Sequence, residues 1–165
     1  MLKHTFIHIQ GIGLRSERKI WQRGIRPWED FLNTKTTVFS ADRDEMIRRE
    51  VECSCRSFGM IEYFASRLSA AQQWRLFDDF RDQTVYLDIE TAPGLFEANE
   101  ITVIGLYDGQ SVKSFVNGIN LDQLELALAD YELMVTFNGQ GFDIPCIQRT
   151  FPCISLPRGH VDLRF

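Results

Sequence analysis

Tyr86-Leu87-Asp88-Ile89-Glu90-Thr91 stands at the end of a run, Thr84 to Ile89, that favours β-structure. Strand side chains alternate, so Asp88 and Glu90 point to one face, about 6.5–7 Å apart, while Leu87 and Ile89 turn to the other. Two carboxylates side by side on an apolar strand repel and lose hydration, and something has to compensate them. Hard divalent cations do this well, because carboxylate oxygens are the ligands that Mg²⁺ and Mn²⁺ prefer. A lone D-x-E pair is nevertheless more often a strand end whose acids face water.

Downstream of this run, Ile101 to Tyr107, Val112 to Val116, Leu133 to Phe137 and His160 to Leu163 are further β-favouring stretches. Asp108-Gly109 reads as a hairpin turn between the second and third strands. Asn120 can cap a helix with an apolar stripe of Leu121, Leu124, Leu128 and Ala127, and Asp143 to Phe151 reads as another helix with Pro145 in its first turn. The order strand, strand, strand, helix, strand, helix, strand gives a mixed α/β domain. Phe137-Asn138-Gly139-Gln140-Gly141-Phe142-Asp143 follows the fourth strand: Asn138 and Gly139 suit a tight turn, Phe142 is placed to pack beneath the site, and Asp143 opens a helix. A carboxylate there can face the first strand; by itself Asp143 reads as an ordinary N-cap.

Upstream, residues 1 to about 80 read as helical. Helix periodicity follows Gly11-Ile12-Gly13 and ends near Gly24, a C-cap glycine. Pro27 starts a second short helix through Trp28, Phe31 and Leu32; Ser40 caps a longer one from Ala41 to about Cys55; and Gly59 precedes another over Met60 to Leu68. Ser69 to Phe80 is an aromatic connector, expected to pack on both parts. Trp21, Trp28 and Trp74 are expected to be core rather than base-stacking platforms. This predicts a small all-helical module, 1–80, ahead of an α/β domain, 81–165.

Composition excludes several classes. With 165 residues and 44% hydrophobic content the chain can bury a core without disulfides. No long uncharged apolar run or secretory leader is present, so no membrane partner and a cytoplasmic location are the default expectations. Cys53, Cys55, Cys146 and Cys153 lack zinc-ribbon spacing and read as reduced, mostly buried thiols. The net charge of −5 is unevenly spread. Met1 to Arg26 holds six basic residues against one acid, and Arg81 to Phe165 holds five against twelve. A basic start suits phosphates and an acidic second part suits cations, although solvated faces explain either imbalance as often.

D-x-E-T on the first strand, N-G-x-x-F-D after the fourth and H-x-D-L (His160, Asp162, Leu163) on the fifth together resemble the DEDD exonuclease superfamily, most closely its YprB-type ribonuclease H-like domain family. The resemblance covers Thr84 to Phe165. It implies a ribonuclease H-like five-stranded mixed sheet, with the first three strands antiparallel and the last two parallel. It also implies 3′-to-5′ phosphodiester hydrolysis of DNA or RNA, independent of sequence, with Asp88, Glu90 and Asp143 as ligands for two Mg²⁺ or Mn²⁺ ions. Thr91 would lie near the terminal nucleotide and Asn138 would hold the loop that aims Asp143; Asp162 is a weak candidate for a fourth carboxylate. The family's third motif, on a helix after the fifth strand, lies beyond Phe165, so the domain reads as C-terminally incomplete. A bare sheet face and self-association, or a partner completing the domain, are expected from that.

Ile9-Gln10-Gly11-Ile12-Gly13-Leu14, followed by Arg15, Arg18 and Lys19, resembles a helix-hairpin-helix loop, whose backbone amides grip a DNA phosphate. The proline usual before the first glycine is Gln10 here. A non-catalytic nucleic-acid-binding protein and a truncated inactive remnant are the competing expectations.

Overall fold

The computed structural model describes residues 1–93 and 99–165. Five strands form one sheet: β1 (Thr84–Pro93), β2 (Asn99–Tyr107), β3 (Val112–Val116), β4 (Leu133–Thr136) and β5 (Gly159–Asp162). Their order is β3-β2-β1-β4-β5. The β1–β2 and β2–β3 pairs are antiparallel, and β1–β4 and β4–β5 are parallel. This is the expected mixed α/β sheet, with β1 four residues longer than its sequence pattern suggested.

The Asp108-Gly109 turn closes β2 on β3 through Asp108, which accepts hydrogen bonds from the Gln110 and Ser111 amides at 2.9 and 2.7 Å. These bonds hold the exposed Asp108 carboxyl down at about 2. Helix α6 (Leu124–Leu128) buries Leu124 and Leu128, while helix α7 (Asp143–Thr150) buries Cys146 and Ile147. Together with Val85, Leu87, Ile89, Ile104 and Met134 they form the core on one face of the sheet.

The opposite face carries the helical half: α1 (Leu14–Gln22), α2 (Trp28–Asn33), α3 (Ala41–Arg56), α4 (Ile61–Ala65), a 3₁₀ segment over Ala70–Leu76, and α5 (Phe77–Phe80). Ser40 caps α3 by accepting from the Arg43 amide, and Gly24 ends α1 with a positive φ of 81°. One core runs through both halves: Trp28, Phe31, Phe64 and Leu76 belong to the same cluster as Leu133, Val135 and Val161 of the sheet. Gly159 permits the contact, since a Cβ there would lie 2.6 Å from Ile61 Cδ1 and 2.7 Å from Leu133 Cδ1. The expectation of a bare sheet is therefore corrected over β4 and β5, which the helical half covers.

A buried ion pair ties the helical half together. Glu17, fully buried, accepts from Arg75 Nη1 and Nη2 at 3.0 and 2.8 Å and from the Phe6 and Ile7 amides at 2.8 and 3.2 Å. Three further expectations are corrected. Trp74 is 46% exposed rather than core, because the 3₁₀ turn directs its neighbours Gln73, Arg75 and Leu76 inward. Only Cys146 of the four free thiols is buried. The segment before α1 is a 3₁₀ turn at Leu2–His4 followed by turns, so there is no first helix for a helix-hairpin-helix. No helix among the described residues is long and apolar enough to cross a membrane.

Candidate active site

β1 delivers Asp88 and Glu90 as expected: both are exposed, while Leu87 and Ile89, which alternate with them, are buried in the core with Cys146 and Ile147 of α7. Asp88 stands opposite Gly105 of β2 and Glu90 opposite Val103. The register then slips between Glu90 and Thr91, because β2 carries an extra residue, Thr102, between the partners of these two, a bulge in the neighbouring strand beside the D-x-E pair. A bulge increases local twist and re-aims side chains, a frequent arrangement beside functional sites. The half-buried Thr91 lies past this slip, opposite Ile101.

The loop from β4 to α7 brings the third carboxylate. Asn138 takes φ 60°, the one non-glycine residue with positive φ among the described residues, as the Asn-Gly turn requires. Gly139 follows where a Cβ would stand 2.1 Å from Thr136 Oγ1, so only glycine fits. Asp143 is the first residue of α7, not its N-cap; that position is Phe142, and no side chain caps the helix. Phe142 is 37% exposed and does not pack beneath the site. Asp143, by contrast, is 3% exposed. Burial pushes its carboxyl above the ordinary carboxylate range and the charges of Asp88 and Asp162 push the same way, against a lowering by the backbone amides of Asp143 itself and Ile89 that offsets them only in part.

β5 contributes Asp162, 4% exposed. Its Oδ1 accepts from the amides of Asn138 and Arg164 at 2.8 and 3.0 Å, and its Oδ2 from the amide of Gln140 at 2.9 Å. Burial works to raise this carboxyl, but the amides of Gln140, Arg164 and Asn138 outweigh it and hold it below the ordinary range. His160, two residues earlier, meets Thr136 Oγ1 through Nε2 at 2.8 Å, and burial lowers its pKa. The Arg164 guanidinium donates to Asn138 Oδ1.

Asp143 thus lies close enough to Asp88 and to Asp162 to feel both charges, while no Lys, Arg or His pairs with Asp88, Glu90 or Asp143 among the described residues. This uncompensated, all-oxygen set fits a hard divalent cation in its chemistry. In geometry the fit is partial, because no group of three or more His, Cys, Asp or Glu among the described residues is gathered tightly enough to hold an ion.

A family model described as the RNase_H superfamily matches residues 85–165, the segment that runs from β1 through β5. Residues 85–165, just under half of the chain, are similar to that superfamily. The ribonuclease H-like sheet accounts for the placement of the three carboxylates around the ends of β1, β4 and β5. No curated protein matches the chain. Among solved structures, the Aedes aegypti Nibbler EXO domain is similar at 18% identity, covering 55% of this chain and 48% of that one, with a TM-score of 0.41. The chain thus spans about half the length of that solved chain, a likeness too distant to support inference.

Sequence reasoning placed Asp88, Glu90, Thr91, Asn138 and Asp143 on the ribonuclease H-like half. Gly11, Gly13, Arg15, Arg18 and Lys19 sit apart from them, exposed at the start of α1. It missed the way Asp162 is engaged by backbone amides, because two of its three partners, Asn138 and Gln140, lie 24 and 22 residues away and no local pattern encodes them. It also missed the exposed Phe137, Leu163 and Phe165, which follow or flank the strand ends.

Proposed function

We propose that this chain is a metal-dependent 3′-to-5′ exonuclease-like phosphodiesterase acting on DNA or RNA without sequence preference. The observation that carries the reading is Asp143 buried within reach of the Asp88 charge, with no cation paired to either among the described residues. Asp88, Glu90 and Asp143 would hold two Mg²⁺ or Mn²⁺ ions, which supply charge neutralisation at a phosphoryl group and lower the pKa of water. Asp88 and Glu90 present their oxygens from one strand face, and Asp143 presents its own from the start of α7. Thr91, beside the bulge of β2 at Thr102, would set the approach of the terminal nucleotide, and Asn138 would keep the loop under Asp143 in register. On the helical half, the exposed Gly11–Gly13 turn with Arg15, Arg18 and Lys19 would hold backbone phosphate, giving salt-dependent affinity.

The test is Mn²⁺ titration against 3′-labelled single-stranded DNA and RNA, beside Asp88→Ala and Asp143→Ala. Metal-dependent release of label, absent in both variants, is the expected result; release that survives Asp88→Ala sinks the reading. A second reading, a non-catalytic nucleic-acid binder, is favoured by the loose spacing of the carboxylates. It requires binding without release that withstands Asp88→Ala and falls when Arg15, Arg18 and Lys19 are neutralised.

A further inference from the structure

Asp162 closes β5, and both its oxygens are occupied by main-chain donors from the loop and from Arg164. A carboxylate so engaged has little left for a cation, which argues against its use as a fourth ligand. Its partners Asn138 and Gln140 flank Gly139, the residue pressed against Thr136; the Thr136 hydroxyl in turn meets His160. The ends of β4 and β5 therefore grip the turn from below at three points. The turn passes that constraint on: the Phe142 amide donates to the Asn138 carbonyl at 3.1 Å, and the Ile144 amide donates to the Gly139 carbonyl at 2.9 Å. Asp143 lies between those two amides.

We infer that Asp162 is a positioning residue, a latch that fixes the 138–140 backbone to β5 and thereby sets where the Asp143 carboxylate stands. The inference rests on the proposed metal-dependent function for its purpose, but the latch itself does not depend on a metal. Functional groups must be held within about half an ångström by their supporting shell, and loss of such support costs about 10–100-fold in metal affinity.

The experiment compares wild type, Asp162→Glu, Asp162→Asn and Asp44→Glu. Asp44 is a control of the same chemistry away from the site: 5% exposed, it accepts from the Val38 and Phe39 amides at 2.7 and 3.1 Å. Mn²⁺ affinity is read by electron paramagnetic resonance, and the Asp143 carboxyl and amide resonances by NMR without metal. Asp162→Glu keeps the charge and moves the oxygens. It is expected to weaken Mn²⁺ binding about 10–100-fold, as Asp162→Asn does, and to shift the Asp143 signals, while Asp44→Glu lowers the melting temperature and changes neither. Normal Mn²⁺ affinity and Asp143 signals in Asp162→Glu overturn the latch and leave Asp162 as a mere local charge. If wild type binds no Mn²⁺, the proposed function fails and the Asp143 signals alone decide the latch. Should the Asp162 variants not fold, amide exchange in wild type decides: Asn138 and Gln140 amides as protected as those of β4 support the latch, and unprotected ones overturn it.

Discussion

Two buried carboxylates, one in each half, are treated in opposite ways. Glu17 in the helical half has a bidentate guanidinium and two backbone amides, so its charge is matched. Asp143 in the sheet half is 3% exposed, has no cationic partner among the described residues, and is met by further negative charge from Asp88 and Asp162 that backbone amides offset only in part. The first arrangement serves the fold, because breaking it would strand a charge in the interior. The second works against the fold, and a protein retains such a conflict where the charge has work to do. In one chain, burial of an acid has marked a structural joint and a candidate site, and its partners tell the two apart.

The comparison breaks most readily at the ion pair. Arg75→Met leaves Glu17 buried and unpaired, and the expected loss is about 3–5 kcal/mol, measured as the shift in urea midpoint. A loss under 1 kcal/mol would mean that Glu17 is not held as described. Next in size is the buried His8, which bonds Ser54 Oγ through Nε2 at 2.8 Å while Nδ1 lacks a partner among the described residues. Burial lowers its pKa to about 4, and the charges of Arg67 and Arg75 contribute. Because the folded value lies below the unfolded one, the unfolded chain binds the proton first. The stability tied to neutral His8 is whole above pH 6.5 and drains away as the pH falls toward 4, by roughly 3 kcal/mol in total. Denaturant melts at pH 7, 5.5 and 4.5 check this against His8→Gln, which lacks that titration; parallel curves would refute it.

At the site the sign reverses. Asp143→Asn is expected to raise stability at pH 7 by about 1 kcal/mol while abolishing metal-dependent release. A destabilised variant would show that Asp143 is structural like Glu17, and the contrast would collapse. The smallest effect concerns Ser40→Ala at the start of α3, a cap loss of about 1 kcal/mol or less seen in the melting temperature, with no change in Mn²⁺ affinity.

Much of this was legible in the sequence because it is local. The period-2 runs located all five strands, Val112–Val116 to the residue, and Ser40, Gly24 and Pro27 marked helix ends, since capping and turn chemistry act within a few residues. Asp88, Glu90 and Asp143 stood out because carboxylates adjoining apolar strands are conspicuous. What stayed hidden depends on distant partners. Leu133, Val135 and Val161 are apolar on any reading, but nothing in them names the helical half as their cover. Trp74 looked like core by type, and only the 3₁₀ turn around it explains its exposure. Asp162 read as a spare ligand because the turn that occupies it is far away in the chain.

The core shared between the halves has a consequence for synthesis. The chain leaves the ribosome amino end first, so Trp28, Phe31 and Phe64 emerge well before Leu133, Val135 and Val161, on which their cluster closes. At about 5–20 residues per second, that wait is on the order of ten seconds. Throughout it the helical half displays an apolar surface with no seat, the condition in which a nascent chain most needs a chaperone's hold.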